Sequence, residues 1–188
     1  MNNGVKVLLV IAGLAVIIGG VYVSGYNSLV NYDESIKASW SQVENVMQRR
    51  NDLIPNLVTT VKAYAKHEKE TFENIANARA ALAGAKTIDE KVKASTGLDS
   101  AISRLLMITE NYPQLKANEN FMALMDELAG SENRISVERR KYNEVVQAYN
   151  TAVRSFPSSV AAGMGGFKLK EVYFKADEKA KEVPVVKF

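Results

Sequence analysis

From Val7 to Val23 the chain reads VLLVIAGLAVIIGGVYV, and no charge falls between Lys6 and Asp33. A helix rises about 1.5 Å per residue, so roughly 20 such residues cross the hydrocarbon core of a bilayer. Beyond Asp33 the pattern changes to apolar positions recurring among polar ones. Leu29, Ile36 and Val43 are spaced by seven, and so are the interleaved Trp40 and Met47. That is the mark of a helix burying one narrow seam. Only Gly25 interrupts the passage from the apolar run to this seam, so anchor and first soluble helix can form one rod.

Other readings of the apolar run fit less well. A cleaved signal peptide has a shorter core and a small-residue cleavage site, for which Val23-Ser24-Gly25 is a poor candidate. A lipoprotein signal needs a cysteine, and the chain has none. A buried helix of a soluble protein rarely runs this long without a polar residue. The run therefore reads as an uncleaved anchor. Gly13, Gly19, Gly20 and Gly25 form no strict G-x-x-x-G pair, so no dimerisation motif is read there.

Further along, Asp52 can cap a new helix and Pro55 then falls in its first turn, which predicts a corner near Asn51. The second helix is expected from Leu53 to about Ala83, with a seam including Ile54, Val58, Val61, Phe72 and Ile75. Gly84 ends it. Thr87 caps the third, with Glu90 at capping-box spacing. Pro113 stops that helix near Asn111-Tyr112. The fourth runs from about Asn120 to Arg154, carrying Phe121, Leu128, Ile135, Tyr142, Val146 and Tyr149, and Phe156-Pro157 ends it. The expectation is an all-α protein, an N-terminal transmembrane helix continuing into an antiparallel up-down-up-down four-helix bundle. Residues 1–25 are the anchor and 26–156 the bundle. Residues 157–188 form an uncharged Gly-containing loop and an extended C-terminal tail.

In that order of helices the fourth returns toward the membrane. The uncharged stretch Ser155–Phe167 then lands beside the bilayer. Val160, Met164 and Phe167 are the expected membrane-proximal contacts, touching lipid or a neighbouring subunit.

Charge and composition narrow the chemistry. Net charge is +3, with 24 basic and 21 acidic residues interspersed, unlike the basic stripe of a nucleic-acid binder. The absence of cysteine removes disulfides, thiolate metal sites and cysteine nucleophiles. His67-Glu68 is not a zinc-protease motif, because the position of the second histidine is Thr71, and a helix-surface histidine is expected. Gly163-Met164-Gly165-Gly166 lacks the Lys-Ser or Lys-Thr of a phosphate loop and reads as a flexible hinge. No catalytic, cofactor or metal site is expected, and the protein reads as non-enzymatic. The recurrent polar residues are Arg49, Arg50, Asn51 and Asp52, then Glu132-Asn133-Arg134, and the pairs Tyr142-Asn143 and Tyr149-Asn150. The two pairs lie seven apart, on one helix face. Most such charges are solvated surface, whereas the asparagines can fix register through buried hydrogen bonds.

These stretches, with Trp40-Ser41-Gln42-Val43, Arg49 through Val58, Tyr64 through Glu68, Arg139 through Asn143 and Phe156-Pro157-Ser158-Ser159 through Phe167, resemble the LemA family. Tyr173-Phe174 and the closing Pro184-x-x-x-Phe188 are similar too, so the resemblance covers essentially the whole chain. It implies a bacterial single-pass membrane protein with a four-helix soluble domain and no attached enzymatic activity. One branch of the family acts in magnetosome membrane formation, and some members are encoded near membrane metallopeptidases. It also implies fold-defining roles for Trp40, Arg49, Arg50, Asp52, Pro55, Asn56, Glu132, Asn133, Arg134, Tyr142, Asn143, Tyr149, Asn150, Phe156 and Pro157.

The functional expectation is a scaffold or self-assembling homo-oligomer held in the bacterial cytoplasmic (inner) membrane by lipid contact through the N-terminal helix. No nucleic acid is involved. The alternative is an adaptor or sensor for a membrane protease or other envelope protein, with Val183–Phe188 as a docking peptide. Lys6 and the α-amino group precede the apolar run while Asp33 and Glu34 follow it, which places the bulk domain on the outer side.

Overall fold

The computed structural model of the chain describes residues 2–174. Its elements are α1 (Asn3–Tyr64), α2 (Lys69–Gly84), α3 (Ile88–Thr109), α4 (Pro113–Lys116), α5 (Glu119–Arg154) and α6 (Ser158–Gly165). No strand occurs among the described residues. The described chain separates into two compact units, one of residues 2–41 with Lys141–Glu171, the other of Gln42–Arg140 with residues 172–174. Both α1 and α5 run through the two units.

The rod expected from the hydrophobic pattern is present: α1 continues unbroken through Gly25 for 62 residues. Its first part is long and apolar enough to cross a membrane, by length and composition, and none of that window is buried. The heptad-spaced seam is also real, with Leu29 and Val43 fully buried and Ile36 at 5% exposure.

The expected corner at Asn51 is absent. Pro55 lies inside α1, and Asp52 is not a cap; its carboxylate accepts a hydrogen bond from Gln48 Nε2 over 2.8 Å. An interior proline costs a helix about 3 kcal/mol, because it offers no N–H to the carbonyl four residues back. Ile54, Leu57 and Val61 carry the buried face of α1 across that position. Each large apolar side chain so buried contributes about 1.5–3 kcal/mol, and their sum outweighs the proline. The chain turns at residues 65–68 instead, with Ala65 buried in the turn and His67 exposed on it. The helix expected over Leu53–Ala83 is thus divided between α1 and α2, and His67 leaves the helix surface.

In the second unit, buried residues of five helices pool into one cluster: Ile54 and Val61 of α1, Ile75 of α2, Leu98 and Leu105 of α3, Leu115 of α4, and Phe121 and Leu128 of α5. The start of α3 is as read from sequence. Thr87 Oγ1 accepts from the Glu90 N–H over 3.2 Å, and the Glu90 carboxylate accepts from the N–H groups of Lys86 and Thr87. Those backbone donors, Lys86 first, hold the Glu90 carboxyl below the ordinary carboxylate range.

In the first unit, Leu29 of α1 meets Ala161 and Ala162 of α6, with Tyr22, Ala152, Val153 and Phe167 packed around them. The expected loop after Pro157 therefore begins with a helix. Burial of Ala161 and Ala162 stabilises it despite its glycines. Gly166 ends α6 at φ 74°, in the left-handed region, while the Phe167 N–H reaches back to the Ala162 carbonyl over 3.0 Å. Gly163–Gly166 is a helix end and its cap, not a hinge. Beyond it the described chain has no regular structure, and Val183–Phe188 lies outside the described residues.

Candidate functional site

In the second unit the motif residues converge on Arg50. Its side chain is 4% exposed, and its two terminal nitrogens Nη2 and Nη1 pair with Asp99 of α3 and Glu132 of α5. Arg139 Nη2 donates to the buried Ser95 Oγ over 2.9 Å and stands 3.7 Å from Asp99. Arg139 also lies over the Phe174 ring, 5.1 Å from its centroid. Two guanidinium ions and two carboxylates balance. Their balance is what permits a cation in this position, since an unpaired buried charge costs several kcal/mol. A cleft of about 390 Å³ opens beside them, with Ile102, Leu106, Met125 and Leu128 on its apolar side. The groups gathered here can bind helices α1, α3 and α5 to one another.

Sequence reasoning found Arg50 and Glu132 but not Ser95 and Asp99. The signal was there: Ser95 and Asp99 follow the helical spacing of Leu98, Ile102 and Leu105, so a hydroxyl and an acid sit on an otherwise apolar stripe. Other motif residues do not join the cluster. Arg49 is exposed and pairs with Glu127, its Nε donating over 3.1 Å. Asn51 Oδ1 accepts from Arg79 Nε over 3.1 Å. Asp52, Pro55, Asn56, Asn133 and Arg134 are exposed.

The first unit holds the remaining motif residues. Trp40 and Tyr142 are buried and meet edge to face, 5.6 Å between centroids. The Tyr149 hydroxyl donates to the Lys168 carbonyl over 2.9 Å. Asn150 Nδ2 donates to the Lys170 carbonyl over 2.7 Å, and the Lys170 N–H donates to Asn150 Oδ1 over 2.9 Å. A carboxamide carries donor and acceptor side by side, so it can grip both backbone groups of one extended residue. Through these two bonds Asn150 holds extended chain. Because it grips backbone, no side-chain pattern in residues 168–170 announces the contact.

Lys170 closes this contact ionically. Its Nζ is 3.0 Å from Asp33 and 5.7 Å from the Tyr149 ring centroid. Burial pushes the Asp33 carboxyl up, but hydrogen bonds and charge from Lys170 and Lys37 outweigh it and hold the group below its ordinary value. A carboxyl so depressed contributes stability above its unfolded value of 3.8 that is lost as pH falls through the lower folded value. Urea unfolding between pH 5 and roughly pH 3 should therefore show the native chain losing more stability than Asp33→Asn. Equal losses would show that the Asp33–Lys170 pair adds nothing. Burial pushes the Tyr149 hydroxyl up.

Of the expected membrane-proximal residues, Val160 is 52% and Met164 73% exposed. Phe167 is instead turned to its own chain: its ring meets Tyr26 edge to face at 5.4 Å, and it packs against the α6 core. Phe156 is 82% exposed, and Pro157 stands at the N-cap of α6. Among the described residues no group of three or more His, Asp or Glu is placed to hold a metal.

Several known proteins resemble this chain over most of its length. The magnetosome proteins MamQ 1 and MamQ 2 of Paramagnetospirillum magneticum are each 26% identical to it, over 97% of this chain and 74% of theirs. Magnetosome protein MamQ of Magnetospirillum gryphiswaldense is 27% identical, over 86% of this chain and 68% of its own. Protein LemA of Metamycoplasma hominis is 26% identical, over 76% of this chain and 65% of its own. The LemA family profile matches residues 39–188, a span that takes in Trp40, Arg50 and its partners, and the Tyr149-Asn150 pair. On that match, the chain belongs to the LemA family.

Proposed function

We propose that this chain is a non-enzymatic, membrane-anchored helical-bundle protein that self-assembles, or scaffolds other proteins, at a bacterial membrane. The observation that carries the reading is the apolar start of α1, exposed throughout and continuous with the helix that enters both folded units. Leaving Leu8, Val10, Ile17 and Ile18 more than half exposed to water is costly, whereas lipid accommodates them. Beyond it, the second part of α1, α2, α3 and the first part of α5 read as an antiparallel four-helix bundle. Kinship with proteins named for the magnetosome favours a part in building a cellular structure over turnover of a substrate.

Full-length protein expressed in bacteria should stay with membranes through alkaline extraction, and removal of residues 2–25 should release it. Crosslinking in cells should then capture a second copy or a fixed set of partners. A strictly monomeric full-length protein with no crosslinked partner would sink the scaffold reading. A reporter fused after Phe188 tests the outward orientation, and a cytoplasmic signal would reverse it.

A further inference from the structure

We infer that α6 lies on the lipid surface from which α1 emerges, with Val160 and Met164 among the acyl segments next to the headgroups and Arg154 and Lys168 facing anionic headgroups. This rests on the anchored reading above and adds a second, peripheral contact to it. The position of α6 is the first argument. The apolar run ends at Val23, and α6 packs on α1 just beyond, at Gly25. A Cβ at Gly25 would stand 3.3 Å from Ala161 Cβ and 3.4 Å from Ser158 Cα. Two residues of helix are about 3 Å, so α6 sits where the anchor leaves the hydrocarbon. Tyr22 and Tyr26, 6.3 Å apart, mark the same level with the amphipathic rings that collect at membrane interfaces.

The faces of α6 are the second argument. Ala161 and Ala162 are buried against α1, while Val160 and Met164, one turn apart, point away and are exposed. Phe156, just before the helix, is more exposed still. Charge is the third. Between Glu144 and Glu171 the only charged residues are Arg154, Lys168 and Lys170, all cationic. Lys170 is paired with Asp33; Arg154 and Lys168 are exposed. An apolar face flanked by cations is the composition of an interfacial segment. Lipid is favoured over a second copy by the same charges. A twofold contact through this patch would bring one cationic segment against another, with no acid in the segment to relieve it.

The chain has no cysteine, so single cysteines can carry an environment-sensitive fluorophore in the full-length protein. Val160→Cys and Met164→Cys would be compared with Val16→Cys in the anchor and Lys93→Cys, an exposed position on α3, in phosphatidylcholine vesicles with and without phosphatidylglycerol. Circular dichroism confirms that each variant folds. The probes at 160 and 164 should emit to the blue of the Lys93 probe and lose intensity to lipids spin-labelled near the headgroup. Both effects should grow with phosphatidylglycerol. Water-like emission at 160 and 164, with the Val16 probe in hydrocarbon, overturns the placement of α6 and leaves the anchor standing. Water-like emission at Val16 as well overturns both. Blue emission that spin-labelled lipid does not quench assigns the patch to a neighbouring copy and removes the lipid contact. Indifference to phosphatidylglycerol removes the headgroup pairing.

Discussion

Replacing Arg50 with alanine should cost the folded protein about 3 kcal/mol, the lower end of the range for breaking a buried ion pair. The lower end is expected because the side chains of Asp99 and Glu132 are 31% and 47% exposed, so water can take over part of their solvation. Arg50→Met should lose less than Arg50→Ala. An unbranched apolar chain fills much of the same space, and exchanging a buried ion for packing is often near neutral. Asp99 would then keep only Arg139 at 3.7 Å. Urea unfolding of the full-length protein in detergent, followed by far-ultraviolet circular dichroism, measures both variants. An Arg50→Ala protein within about 0.5 kcal/mol of the native one would show that the cluster is an ordinary surface pair.

Removing the Tyr142 ring should be at least as damaging. Tyr142 is 2% exposed and packed edge to face on Trp40, and truncating a buried aromatic to alanine costs about 3–5 kcal/mol. Part of that belongs to the pair, and a cycle with Trp40→Ala should return about 0.5–1.5 kcal/mol of coupling. Trp40 is the single tryptophan of the chain, so its emission reports the same event. In Tyr142→Ala the emission should move to longer wavelength as water reaches the indole. Unchanged emission together with unchanged stability would place the energetic centre of this unit elsewhere.

Which parts of the fold could be read in advance depended on whether the signal was local. The Thr87–Glu90 capping box, the stop before Pro113 and the span of α5 rest on side chains acting within a few residues, and each is where the pattern put it. The seven-residue seam of α1 was equally legible, because burial of Leu29, Ile36 and Val43 follows from spacing alone. Pro55 misled because its cost is local while the burial of Ile54, Leu57 and Val61 that offsets it is tertiary. The real turn, at residues 65–68, contains neither glycine nor proline, and α2 begins without a side-chain cap at Glu68. Nothing short-range marks it. The segment SSVAAGMG was unreadable as helix for the same reason, since its stability comes from Leu29.

The candidate sites divide in the same way. Arg50 and Glu132 stood out by type, and Tyr142 and Tyr149 by spacing. Asp33, Asp99 and Lys170 did not, because each acquires its role from a residue tens of positions away.

The Asn150 grip has a consequence for how this part of the chain can drift. It holds the amide and carbonyl of residue 170, and Tyr149 holds the carbonyl of residue 168, so three of these bonds ignore side-chain identity. Exchanges at Lys168 and Leu169 leave them intact. A single-residue deletion between Gly166 and Lys170 hands the same grip to the peptide unit of Glu171, but it sets a carboxylate where Lys170 faced Asp33. In relatives of this chain the residues at 168 and 169 should therefore vary freely, while the slot beside Asn150 should keep a cation wherever an acid stands at position 33.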